Sequence, residues 1–202
     1  MIKLIWNLLA LTGLVLVAGL VWIAMTYGFG MQDIKNLQNL REFDPMSPQV
    51  YMDMTKTLLA TGNAAEATVW KRPVADGLSA TDVEDTMRFV ANEHNIKNVG
   101  ELPLSEQVTA MTGEEQRYLK IYMFCNPLTA VQMVNYSDAF SAYLPCRISV
   151  VEDKTGKLWL YTLNMDMMIH GGTELPAALF EEANKVKDTM VDIMNRGAEG
   201  EF

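Results

Sequence analysis

The two cysteines of this chain stand in proline-flanked settings, Phe124-Cys125-Asn126-Pro127 and Leu144-Pro145-Cys146-Arg147. Thiolates attack disulfides, carry sulfane sulfur and ligate soft metals, so the pair is the first candidate for chemistry. Asn126-Pro127 reads as the cap and first turn of a helix, and a helix start just after Cys125 is expected to favour its thiolate. A second candidate is Asn164-Met165-Asp166-Met167-Met168-Ile169-His170-Gly171-Gly172, because thioether and imidazole ligands suit copper and the chain holds 15 methionines. Each has a plainer alternative. The cysteines could form a disulfide or serve as small buried hydrophobes, and methionine also fills gaps in cores. Strand alternation would send Met165 and Met167 to one side and Met168 and His170 to the other.

Other chemistries find little material. The chain has two histidines, no Cys-x-x-Cys, no zinc quartet, no glycine-rich phosphate loop and no nucleophile elbow. His94 falls on the apolar stripe of a predicted helix and reads as a packed or edge side chain. A formal net charge of -9, without a Lys/Arg cluster, excludes a phosphate-neutralising nucleic-acid partner.

The elements that must position these residues are readable in part. A weak strand over 68–74 is followed by a helix with Thr81-Asp82-Val83-Glu84 as a capping box and Val83, Met87, Val90, Ala91 and His94 as its stripe. Tyr118 to Cys125 alternates as a strand does, with Leu119, Ile121, Met123 and Cys125 on one side and Tyr118, Lys120, Tyr122 and Phe124 on the other. Cys146 to Glu152 and Leu158 to Met165 are two further strands joined by a Lys154-Thr155-Gly156-Lys157 turn. Cys125 shares a side with Ile121 and Met123, and Cys146 with Ile148 and Val150, so both thiols are expected in one apolar layer. The last helix carries Leu175, Leu179, Ala183, Val186, Met190 and Ile193 on one face, between Pro176 and Gly197. This order predicts an α+β fold, a two-layer sandwich with helices on one face of a small antiparallel or mixed sheet.

The run Tyr118 to Ala130, with Cys125-Asn126-Pro127, followed by Leu144-Pro145-Cys146 and a strand, resembles the bacterial and archaeal family called domain of unknown function 302. The resemblance covers roughly residues 67 to 168. It implies a TATA-box-binding-protein-like α+β sandwich and no particular activity.

Ahead of the domain, Leu4 to Phe29 has no charged residue in 26 positions, about 39 Å of helix, enough to cross the roughly 30 Å core of a bilayer. Residues 1–30 are therefore expected to anchor the chain in the bilayer through residues 4–29, with Trp6 and Tyr27 near the two interfaces. Residues 31–66 read as a tether, with Asp44-Pro45-Met46-Ser47-Pro48 as a break before a short helix capped by Ser47 and ended by Gly62. That helix carries Tyr51, Met54 and Leu58 on one face and is expected to dock on the domain. Residues 67–202 form the domain. The short amino-terminal flank favours a single-pass protein of a bacterial inner membrane with its domain in the periplasm. The functional expectation is a binding or accessory subunit, in a membrane complex or a homo-oligomer, rather than an enzyme. The alternatives are a thiol-based redox, sulfur-handling or copper-binding module on Cys125 and Cys146, and a carrier of a small apolar ligand.

Overall fold

The computed structural model describes residues 2–202, which divide into two compact units at Phe43/Asp44. The first unit holds helix α1 (Ile2–Tyr27), helix α2 (Met31–Asn36) and a 3-10 turn, Leu37–Glu42. Within α1, Ile5–Tyr27 is long and apolar enough to cross a membrane, and none of it is buried inside the protein. Its mid-span hydroxyl is self-satisfied: Thr12 Oγ1 donates to the Leu8 and Leu9 carbonyls, as a polar group in an apolar span requires.

The second unit, Asp44–Phe202, opens with helix α3 (Ser47–Thr61), ended by Gly62 at φ 64°, and the short helix α4 (Ala64–Thr68). Ser47 is the first helical residue of α3 rather than its cap. Met46 is the N-cap residue and no side chain caps the helix; Asp44 Oδ1 accepts from the Met46 N–H at 2.8 Å in the turn before it. Strand β1 (Val69–Pro73) leads to helix α5 (Ala80–Glu93). The capping box of α5 sits two residues earlier than the sequence pattern suggested, with Ser79 and Asp82 as its reciprocal pair. Strand β2 (Lys97–Leu102) and helix α6 (Leu104–Thr112) follow, then β3 (Leu119–Cys125), α7 (Pro127–Tyr136), a 3-10 turn at Asp138–Tyr143, β4 (Cys146–Glu152) and β5 (Leu158–Leu163). The short helix α8 (Asp166–His170) and the long helix α9 (Ala177–Glu199) complete the chain.

The five strands form one antiparallel sheet in the order β1-β5-β4-β3-β2. Its core face is set by side-chain alternation: Tyr122 and Phe124 of β3, Ile148 and Val150 of β4 and Leu160 of β5 are fully buried against Val83, Met87 and Val90 of α5 and Met190 and Ile193 of α9. The two-layer α+β fold expected from the order of elements is the fold observed. The edge strands are short and interrupted. β1 carries exposed Lys71 and Arg72 and ends at Pro73, and β2 has a register shift between Asn98 and Gly100.

Gly197 lets α9 approach α5 closely, since a Cβ there would stand 2.7 Å from Met87 Cγ. At the other end of the domain α3 packs beside α8. Tyr51 donates its hydroxyl to the Gly171 carbonyl at 2.7 Å, Asp44 N–H donates to the Gly172 carbonyl at 2.8 Å, and Asp44 Oδ2 pairs with His170 Nδ1 at 3.0 Å.

Candidate functional site

The two cysteines close one end of the sheet. Cys125 is the last residue of β3, Cys146 is the first of β4, and Phe124 pairs with Cys146 as the final rung of that ladder. An antiparallel ladder needs no crossover, so the chain leaves β3 through α7 and the 3-10 turn and re-enters beside its point of departure. The turn into β4 passes through a cis Leu144-Pro145 bond. Both cysteines are free thiols.

Their placement corrects the alternation argument. Tyr122 and Phe124, not Ile121 and Met123, enter the core, so Cys146 belongs to the core face and Cys125 to the opposite pleat. Both nevertheless line one cavity at the end of the sheet. The cavity encloses about 50 Å³ between the sheet end, α7, α8 and α9. Around it stand two thiols and three thioethers, Cys125, Cys146, Met133, Met165 and Met168, together with Phe124, Phe140, Tyr143 and Ile169. None of its lining residues is Asp, Glu, Lys, Arg or His.

Local structure explains why the methionines converge. Residues 164–170 do not continue β5. Asn164 Oδ1 accepts from the Asp166 N–H at 2.9 Å, turning the chain into α8. Helical spacing then groups Met165, Met168 and Ile169 on one side, toward the cavity. Met167 lines a neighbouring open groove with Tyr51, Tyr136 and Leu175, and that groove shares Phe140, Tyr143 and Met168 with the cavity. His170 turns away, held by Asp44 and set edge-on to Phe180 with ring centroids 5.5 Å apart. Of the second sequence candidate, Met165 and Met168 thus join the cysteines, and Met167 and His170 do not. Met133 went unnoticed in the sequence. It is buried on the same side of α7 as Thr129, four residues from it, and that spacing was the available signal.

The thiols are more weakly acidic than free cysteine. Burial raises Cys125, and burial, together with the charge of a neighbouring Cys125 thiolate, pushes Cys146 up to about 11 against a smaller opposing effect of Arg147. Burial thus opposes the activation of Cys125 expected from the helix start. Asn126 Oδ1 takes the Leu128 and Thr129 N–H groups at 3.1 and 3.4 Å, so the donors that could favour a thiolate are already occupied.

A second cluster of ionisable groups lies under β3. Arg88 of α5 makes a two-pronged pair with Glu101, each contact 2.9 Å, and Lys120 Nζ reaches Glu84 and Glu101 at 3.0 Å each. The Tyr118 hydroxyl also donates to Glu84. The Arg88 hydrogen bonds hold the Glu101 carboxyl at a pKa of about 2 despite partial burial. Glu84 and Glu101, with Asp85 also on Arg88 at 3.0 Å, surround the two cations, so this cluster reads as a structural clasp between α5, β2 and β3. His94, at the C-cap of α5, is exposed rather than packed in the apolar stripe, and its Nε2 meets Asp192 Oδ2 at 2.7 Å.

The architecture defines a class: a small α+β sandwich with one antiparallel sheet, a helical layer and a sulfur-lined cavity at the sheet end. The family model described as Domain of unknown function DUF302 matches residues 70–197, and the chain belongs to that family. The crystal structure of an uncharacterized conserved DUF302 protein from Bacillus stearothermophilus is similar, with a TM-score of 0.53 and 14% identity over 64% of this chain and 97% of that one. At that identity the likeness concerns the fold. No curated protein matches the chain.

Proposed function

We propose that this protein is a membrane-tethered binding module and that the cavity between Cys125, Cys146 and α8 is where it holds its ligand. The observation that carries this reading is the convergence of five sulfur atoms from β3, β4, α7 and the α8 region on one apolar space. A ligand there would meet polarizable sulfur and aromatic surface and no charged side chain. The volume suits an ion or a group of a few atoms rather than a lipid chain, since one water needs roughly 10–15 Å³ measured the same way. The thiols lack a neighbouring base and are pushed toward their neutral forms, which favours holding a ligand over nucleophilic turnover.

Helix α1 supplies the tether, and the proposal places the domain in the periplasm, as an accessory subunit of a membrane assembly. Native mass spectrometry of the full chain, extracted in mild detergent, tests the binding role. A bound mass is expected on the extracted protein, lost when Ala130→Phe fills the cavity. An unliganded wild-type chain in every preparation would refute it. Alkylation of Cys125 in intact cells by a membrane-impermeant maleimide tests the orientation, and protection until the inner membrane is breached would place the domain inside.

A further inference from the structure

We propose that the cavity is a Cu(I) site in which the Sγ atoms of Cys125 and Cys146 are the principal ligands and the thioethers of Met165 and Met168 complete the coordination. This deepens the reading of the cavity as the ligand site and rests on it.

Ligand chemistry selects the ion. Thioethers bind soft, low-charge cations and are poor ligands for zinc, magnesium or calcium, which take nitrogen, oxygen or several thiolates. The lining holds two thiols and three thioethers with no imidazole or carboxylate, and among the described residues no group of three or more His, Cys, Asp or Glu side chains could hold a metal. A site with two anionic sulfurs and neutral thioethers matches Cu(I) and mismatches the commoner divalent ions.

Position supports the same choice. The ligands come from the end of β3, the start of β4 and the α8 region, elements that meet at one cavity. Met165 and Ile169 are buried, and α8 is fastened to α3 through Tyr51 and Asp44. The groove beside the cavity gives a way in. Met167 lines it, and Met168 is common to groove and cavity, so an arriving ion meets one thioether outside and a shared one at the mouth.

Binding is a ligand exchange with no change of oxidation state. As Cu(I) enters, each of the two thiols loses its proton to water and forms a Cu–S bond, leaving a bis-thiolate complex of net charge -1.

The test titrates the full chain, anaerobically in detergent, against the Cu(I) complex of bathocuproine disulfonate. Wild type is expected to withdraw one Cu(I) per chain and to give an X-ray absorption spectrum with sulfur as the sole first neighbour. Cys125→Ser and Cys146→Ser are expected to abolish withdrawal, whereas Met168→Leu, which conserves volume, weakens binding roughly tenfold and preserves the fold. Undiminished Cu(I) uptake by a folded double cysteine variant would overturn the assignment, as would nitrogen or oxygen neighbours in the spectrum. A wild-type chain that takes no Cu(I) yet carries another mass displaced by Ala130→Phe ends the copper assignment and leaves the binding role standing. If neither copper nor any other mass is found, both fall.

Discussion

Glu101 shows how much of this domain depends on single ionisable side chains. Its pKa of about 2 lies below the ordinary carboxylate value of 4.5, chiefly because Arg88 grips it, so the folded state prefers the ionised form. The stabilisation is therefore fully present above about pH 4.5 and is lost as pH falls toward about 2. Glu101→Gln is expected to cost on the order of 2 kcal/mol at neutral pH, because it also leaves Arg88 and Lys120 short of a partner. It should flatten the acid limb of a pH series of chemical denaturation. An unchanged acid limb would show that the clasp contributes little. Lys120 shares its side of β3 with Tyr118 and Tyr122, the side that enters the core, whereas alternation alone put the apolar layer on the Ile121–Met123 side. Its partners lie on α5 and β2, far away in the chain, and no local pattern could name them.

At the scale of elements, packing tolerances decide what can change. Gly197 sits where α9 meets α5, and a methyl group there would press on the middle of the Met87 side chain rather than its flexible end. Gly197→Ala should therefore lower stability by about 1–3 kcal/mol despite the better helix propensity of alanine, read as a lower melting temperature. Tyr51→Phe removes the hydroxyl that ties α3 to the Gly171 carbonyl. Faster hydrogen exchange is expected at the amides of 166–172, with little change in β3 and β4. The elements readable from sequence were those with a strong period, among them β3, β4, β5, α5 and α9. β2 and α6 escaped because Lys97-Asn98-Val99-Gly100-Glu101-Leu102 is broken by Gly100 and a bulge, and gives no clean alternation. Strand alternation, extended past Met165, would have continued the strand, but Asn164, two residues before Asp166, is a turn signal that redirects the chain into α8. The difference matters for the site: period two separates Met165 from Met168, and period 3.6 unites them.

For the molecule as a whole, the two motifs legible in sequence turn out to be parts of one place. The Cys-Asn-Pro and Leu-Pro-Cys segments close the sheet end, and half of the methionine segment completes the same wall. Spacing alone could not show this, because the convergence depends on β3 and β4 being antiparallel neighbours and on α9 carrying α8 back over their ends. The apolar helix α1 has a different consequence when set beside the sheet edges. Proteins held on a membrane meet one another within a plane, where the risk of edge-to-edge strand pairing rises with crowding. Here both edges are blunted, one by Lys71, Arg72 and Pro73 and the other by the bulge between Asn98 and Gly100. Main-chain zippering is thereby discouraged at both ends of the sheet, so contact between two copies of this domain would fall to side chains, which discriminate between surfaces as backbone amides do not.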